Sequence, residues 1–588
     1  MDHKVVSLPQ KMKFFLIFAF ALLLICNAGS SNAIGTISLD QASISLGNSE
    51  ITLSRIELAG AETSVSDLRA LFSATGPDEF QERLKSFSAA SLKIGELKQT
   101  QKFMDDVSTS ITRNVEITGI RQGIATVVRA DGGIFGGTTK DGESHSGTFG
   151  AYSFADVDIR LFLRIGYGAK SQASEIYAPV YSSGSVENIV FSPASGPSGT
   201  IEKMNVTNVR VRETEGGLMT LIERLATKSN NPQISEAERA QLALDMVTLF
   251  DSFAVGTVEI VGFGLKELDN GDISMRIGRI AFSGATSESG ASFRIDGFDL
   301  NSVDGNLRIG SIGQTGFDLS PTWKKIRAHL AKSGAKIDDL GPRDMIPVLG
   351  QFELRDVAFE TTQPTPLKAG VRGLVLSFEN PDGGIPVAVK STLDGLFGPF
   401  PTDPNDEVSQ TMIGLGYRDF DLSGTADLRW DPPPSELAVD IAVSGTNMGA
   451  LHANIRLGGL SQEALINDPS SAALAAMAAT VKAATIEIEN RGLAERLIDQ
   501  DAIKTKRTPE QVRKSYASVA AASLQLYLGA TETAMRLTRS IVRFIENPTK
   551  ISITAQSKNK DGVGIADTTL AEGPGAVIDL FDVTTSNE

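Results

Sequence analysis

The chain has 588 residues, 55 of them basic and 71 acidic, for a net charge of −16. So acidic a balance argues against nucleic-acid binding, which needs a basic face, and a single cysteine excludes internal disulfides and thiolate metal sites. With 41% apolar residues and a mean hydropathy of −0.02 the chain is globular rather than disordered, and long enough for more than one domain.

The first element is an address. Lys4, Lys11 and Lys13 precede an unbroken apolar run of 13 residues, 14–26, and then a small, polar stretch with Ser31 and Ala33 placed for a cut after Ala33. Charged start, short apolar middle and small-residue site describe a secretory signal. The run is shorter than the ~20 residues of a spanning helix. The expectation is a periplasmic protein freed of residues 1–33; the alternative is an inner-membrane anchor formed by 14–26. A lipid on Cys26 is disfavoured by bulky Leu24 and Ile25 just before it. Cleavage removes three Lys and one Asp, leaving 52 basic and 70 acidic residues, a net charge of −18 and no cysteine. Such a chain has no disulfide partner and must rest on its own core.

From residue 35 onward short alternating strands dominate, beginning with Ile37, Leu39, Ile51 and Leu53 and recurring as far as 550–555. Asp131-Gly132, Asp141-Gly142, Asn270-Gly271, Asp304-Gly305 and Asp382-Gly383 read as hairpin turns, because type I′ turns need positive φ at both central positions. A finer pattern recurs nine times: apolar residues at positions 1, 3, 6 and 8, with Gly, Asp, Asn or Arg at 5. It occurs at 51–58, 152–159, 204–211, 258–265, 275–282, 293–300, 352–359, 369–376 and 415–422. The change from odd to even positions flips the strand's face, which a β-bulge would repair. Strands of irregular parity explain it too, since this composition gives roughly six such windows by chance.

Helices interrupt the strands. Two fall within 65–90, the second opening at Pro77; another spans 216–228; one over 235–253 opens with the Ser235/Glu238 capping box; a short one follows Pro321. The longest helical stretch, 508–546, starts with Thr508-Pro509 and Gln511, and Gly529 divides it. The Ala-rich run 472–484 reads as a helix packed on a sheet rather than on lipid, for want of a basic face. Strand, Gly-Leu helix, capped helix and strand occur in that order at 201–268 and again at 484–556, more loosely at 51–98 and 317–360. The predicted fold is α+β, mainly β: long antiparallel meandering sheet or sheets with repeated strand–helix-hairpin–strand units on one face. The predicted divisions are the signal (1–33), an N-terminal β region (34–212) with its hairpin near 65–90, a helix hairpin (213–254), a β-meander (255–460) with a helix near 321–332, a helical region with closing strand (461–556), and a polar, loosely ordered tail (557–588).

Chemistry is sparse. His145, His329 and His452 lie far apart with no second ligand at metal spacing. There is no G-x-S-x-G elbow and no Gly-Lys pair for a phosphate loop. Gly262-Phe263-Gly264 and Gly414-Leu415-Gly416 read as strand glycines. The acidic run at 403–407 reads as a solvated loop rather than a Ca²⁺ site, and Asp156 with Asp158 as two exposed residues of one strand face. Trp323 and Trp430 are the only tryptophans, too few for aromatic sugar platforms. No catalytic, cofactor-binding or metal-binding residue is assigned, and no cofactor.

The segments RGLAERLIDQDAI (491–503), TPEQVRKSY (508–516) and IENPTKISIT (545–554), with the strand motifs, resemble bacterial envelope proteins of the AsmA-like and YdgA-like kind. That resemblance covers the last third of the chain and implies a periplasmic β-rich body, in some members with a lipid groove. The expected function is a non-enzymatic exported protein binding a hydrophobic, lipid-like or protein partner of the envelope. A structural or assembly scaffold is the alternative, and a glycan or cell-wall hydrolase with dispersed carboxylates the second.

Overall fold

A computed structural model describes residues 36–588 except 62–63, 104–105, 140–141, 169–171, 194–195, 230–233, 267–272, 287–288, 333–334, 362–365, 382, 404, 432–434, 461–476 and 572. The leader, Asn270-Gly271 and the start of the Ala-rich run therefore lie outside the described residues. The fold is mainly-β α+β with antiparallel strands throughout. It divides into two compact units: residues up to Val303 with Thr315–Pro347, and Asp304–Gln314 with Val348–Glu588.

The first unit holds β1 (Thr36–Leu46), β2 (Ser49–Ala59), β3 (Ala89–Phe103), β4 (Asp106–Ile120), β5 (Ile124–Ala130), β6 (Gly132–Thr138), β7 (Ser144–Phe149), β8 (Tyr152–Asp158), β9 (Ala178–Pro193), β10 (Ser198–Val211), β11 (Phe253–Ala254), β12 (Thr257–Lys266), β13 (Ser274–Ser283) and β14 (Ala291–Asn301). They form a meander in which β5–β6 and β7–β8 each act as one long, bent strand. Helices α1 (Val65–Phe72) and α2 (Pro77–Leu84) join β2 to β3; α3 (Ile159–Tyr167) joins β8 to β9; α4 (Leu218–Ser229) and α5 (Glu236–Phe250) follow β10; α6 (Ser320–Leu330) packs on α5. Because meander strands alternate direction, α1 to α5 all fall at one end of the sheet. Beneath them runs one continuous core, with Leu46, Ile56, Leu58, Leu68, Leu163, Leu218, Leu221 and Leu225 fully buried. Each such side chain contributes about 2 kcal/mol by leaving water.

After β15 (Gly305–Phe317), whose residues are shared between the units, the second unit comprises β16 (Gln351–Thr361), β17 (Leu367–Glu379), β18 (Ala388–Pro399), β19 (Asp419–Asp431), β20 (Glu436–Gly445), β21 (Gly449–Gly458), β22 (Thr480–Asn490), β23 (Lys550–Ser557), β24 (Val563–Gly564) and β25 (Phe581–Asn587). Strands β16 to β23 pair in chain order, and β25 pairs with β23. Helix α7 (Glu407–Gly414) joins β18 to β19. Helices α8 (Leu493–Thr505), α9 (Pro509–Leu528) and α10 (Glu532–Glu546) join β22 to β23. The capping boxes hold: Ser235 N–H donates to Glu238 at 2.9 Å and Thr508 N–H to Gln511 at 3.0 Å. The strand–helix-hairpin–strand unit is present at 51–98 and 201–268; at 484–556 three helices stand between the strands, and the described residues of 317–360 carry a single α-helix.

Several readings are corrected. Asp131-Gly132 is not a hairpin turn; it bends one long strand, because β4 pairs with residues on both sides of it. The alternating run at 150–166 reads as strand throughout, but residues 159–167 are helix, since the Asp158 carboxylate caps them by accepting the Leu161 N–H at 3.0 Å. Strand β22 runs through the end of the Ala-rich segment, where pairing with β21 overrides helix propensity. The tail is not loose: β25 pairs with β23, and Phe581 and Val583 are buried.

The 1-3-6-8 pattern has a definite cause. At six of its nine sites the fifth residue is left-handed: Arg55 (φ 54°), Asp156 (53°), Asn208 (51°), Gly262 (65°), Gly297 (67°) and Asp356 (53°). No bulge accompanies most of them. Val261–Arg279 and Phe263–Ile277 flank Gly262, and Ser54–Glu96 and Ile56–Ile94 flank Arg55, with register unchanged. The face flips in both strands at once, so the kinks line up across the sheet. Gly262 stands opposite Gly278, and Gly278 opposite Gly297. At 275–282 and 369–376 the strand carries no left-handed fifth residue but lies beside one that kinks, and 415–418 precede β19 altogether. Glycine suits Gly262 doubly, because a Cβ there would collide with the Glu202 side chain. Replacing Asn208 by valine, which tolerates left-handed backbone poorly, is expected to cost about 1–2 kcal/mol; Asn208→Gly should be near neutral. Urea denaturation midpoints check this.

Candidate functional site: a half-exposed apolar sheet face

In antiparallel pairing, directly opposite residues point to the same face. Applied to the second unit, this rule sorts β16 to β23 into two unlike surfaces. One face carries Phe352, Leu354, Val357 and Phe359 on β16. Across the sheet it continues through Leu374 and Leu376, Val389 and Leu393, Ala426 and Leu428, Ile441 and Val443, Leu451 and Ala453, Ile486 and Ile488, to Ile551 and Ile553. No ionisable residue falls on this face of the described strands β16 to β23. The opposite face is polar, tied by cross-strand pairs such as Arg372–Asp421 at 2.8 Å, Lys390–Asp427 at 3.2 Å and Lys550–Glu487 at 3.4 Å.

A sheet face with this composition is normally sealed under another layer. Helix α10 covers part of it near β23, where Leu528, Ala534 and Leu537 pack with Ile553. At its α7–α8 end Leu415, Tyr417 and Met448 cluster with Phe420, Leu422 and Leu493. Between these two clusters the face stays accessible: Phe359, Leu428, Ile441, Val443, Leu451, Ile486 and Ile488 are 37–45% exposed. Seven strands, β16 to β22, about 4.8 Å apart span roughly 29 Å. An opening of that width and about 20 Å along the strands is on the order of 600 Å², at the upper end of the largest patches on monomers, which are often functional. Ala426, Ala453 and Ala484 interrupt the larger side chains of this face, each opposite an isoleucine on a neighbouring strand. Trp430 stands on the same face with its Nε1–H held by the Leu460 carbonyl at 2.9 Å.

The first unit repeats the theme where its helices end. Strands β12 to β14 present Ile260, Phe263, Ile277, Ile280, Ile295 and Phe298 on one face, most of them only half-buried.

The polar residues singled out in the sequence have structural partners. Asp156 is the left-handed kink residue and accepts from the Ser182 hydroxyl at 2.7 Å, whereas Asp158 caps α3 and pairs with Arg160. Asp406 caps α7 through Ser409, and Asp403 accepts from the Asn405 N–H; the acidic stretch is a helix start. Gly414 ends α7 and Gly416 sits in the following turn at φ 82°, so neither is a strand glycine. His329 meets the Lys336 carbonyl at 2.9 Å, and Trp323 stacks on Phe250 with ring centres 6.4 Å apart. His452 lies on the polar face with Asp440 at 3.1 Å, whose carboxyl is held below its usual range by hydrogen bonds from Asn454 and His452. Among the described residues no group of three or more His, Cys, Asp or Glu could hold a metal ion.

His145 on β7 has its imidazole pushed below its ordinary pKa of 6.5 by burial. The unfolded chain then binds a proton that the folded one resists. Stability is full above about pH 6.5 and falls as the pH drops through that value. His145→Gln is expected to flatten this part of the stability profile, measured by denaturation at pH 7.5 and 5.5 (values chosen about one unit either side of the free imidazole).

The comparison with family models finds one match, to a family described only as "Uncharacterized protein", over residues 442–588. It starts within β20 and takes in β21, β22, the α8–α10 insertion and the closing strands. No curated protein matches the chain.

Proposed function

We propose that this chain is an exported envelope protein that binds the hydrocarbon chains of a lipid-like ligand on the apolar face of β16 to β23. One observation carries the reading: an uncharged, half-exposed apolar face continuous across the seven paired strands β16 to β22. Within a sheet the backbone donors and acceptors are already used in the ladders. Such a face therefore offers contact area and almost no hydrogen bonds. A hydrocarbon chain is satisfied by that offer, at about 0.8 kcal/mol per buried CH₂. The Lys-flanked apolar leader and the resemblance to AsmA-like and YdgA-like envelope proteins support the same cellular setting.

The test is extraction. The chain purified from its producing cells is washed, extracted with organic solvent, and the extract weighed by mass spectrometry against a mock purification. Stoichiometric acyl lipid supports the reading. A lipid-free chain that also fails to take up a fluorescent fatty acid would falsify it.

A further inference from the structure

A second surface of the same unit has a different character. Residues 491–546, comprising α8 to α10, carry ten basic and six acidic residues, so a chain of net charge −16 contains a helical insertion of net charge +4. Between Ser515 and Leu528 helix α9 has no charged residue at all. The inner side of its charge-free stretch, Ala517 and Leu528, is buried, Leu528 against α10, and in the first turn Val512 is buried against Ile498 and Ala502 of α8. Its outer side carries Tyr516, Val519, Ala522, Ser523, Leu526 and Tyr527, which fall within one sector at 100° per residue and are all exposed. Leu526 is 89% exposed, Tyr527 68% and Val519 61%. At the other end of α9 Ile503 is 79% exposed, next to exposed Lys504, Lys506 and Arg507, and Arg539 and Arg543 are exposed on α10.

We propose that the α8–α10 insertion is a docking surface for an anionic lipid bilayer. Apolar side chains this exposed are costly in water, and they sit among cations in an otherwise acidic protein. An outward apolar stripe with Lys and Arg around it is the composition of a helix that lies in the plane of a membrane interface, with tyrosine at headgroup depth. The charge excess selects an anionic surface and is opposite in sign to the rest of the chain. Ile503 precedes α9 and Leu526 lies near its end, and the helix from Pro509 to Leu526 is about 26 Å long at 1.5 Å per residue. That length calls for a broad, flat partner rather than a pocket. The inference is independent of the apolar sheet face: one surface meets headgroups, the other hydrocarbon.

Flotation of the chain from Ile34 onward, which keeps every described element, with vesicles tests this. With phosphatidylcholine mixed with phosphatidylglycerol the wild type should float, and with phosphatidylcholine alone it should float far less. Leu526→Asp combined with Tyr527→Asp should lower flotation at least tenfold, and Val519→Ser with Leu526→Ser by a smaller factor. Lys506→Glu with Arg507→Glu should remove only the gain given by phosphatidylglycerol. Circular-dichroism melting of each variant should match the wild type, since the substituted side chains face solvent. A chain charged on the apolar sheet face should float normally, which separates failure of this surface from failure of that face. Equal flotation of the Asp variant overturns the proposal. So does a wild type that floats with neither vesicle, or a wild-type dimer that Leu526→Asp dissolves, since a second copy would then cover the stripe.

Discussion

Glutamate at both Ile441 and Leu451 is expected to abolish acyl-chain binding while leaving the fold in place. The two residues are diagonal neighbours on adjacent strands in the middle of the open face, Ile441 opposite Ala453 and Leu451 opposite Val443. Both are about 40% exposed in the chain itself, at 39% and 45%, so carboxylates there stay hydrated when no ligand is bound. A bound hydrocarbon would strip that water, at a cost of several kcal/mol per carboxylate. At 1.4 kcal/mol per tenfold, affinity should fall by at least a hundredfold. Fluorescent fatty-acid titration reads the loss. Ile441→Val with Leu451→Met, which keeps the surface apolar, should bind within about threefold of wild type, a free-energy change below 1 kcal/mol.

The second large effect concerns the helical layer of the first unit. Asp245 on α5 is buried, with its carboxylate held by both Nε and Nη2 of Arg224 on α4 and by Gln241 at 2.9 Å. Arg224→Ala leaves that carboxylate without its cation and should cost about 3 kcal/mol, the usual consequence of stranding a buried charge. Adding Asp245→Leu should return much of the loss, because the remaining defect is apolar and fills its own space. Each unit holds one tryptophan, Trp323 in the first and Trp430 in the second. In a Trp430→Phe background, urea unfolding followed by fluorescence therefore reports the first unit alone. An Arg224→Ala midpoint equal to the parent's would show the pair to be dispensable.

Local rules were enough for much of this architecture. Ser235 with Glu238 and Thr508 with Gln511 announced helix starts because a capping box uses neighbours three residues apart. The parity change at Arg55, Asn208 and Gly262 was legible because alternation is a property of a single strand. What the kinks do was not legible. A bulge and a kink leave the same mark in one strand, and only the unchanged register opposite Gly262 separates them. Helix α7 was missed because its short sequence, 407–414, is followed by an apolar run that reads as strand, and its cap, Asp406, sits in an acidic stretch that reads as solvent-exposed loop.

The apolar face itself is the clearest division between the two kinds of information. Sequence alone determined that the strands would have one apolar and one polar side, because the period of two and the side-chain chemistry are both written in it. Whether that apolar side is sealed or open is a matter of which elements lie over it, and cover comes from residues distant in the chain. Tertiary structure decided it: α1 to α5 and the strands of the first unit close over Leu46, Leu58 and Leu225, while Ile441, Leu451 and Ile488 keep roughly two-fifths of their surface in contact with solvent.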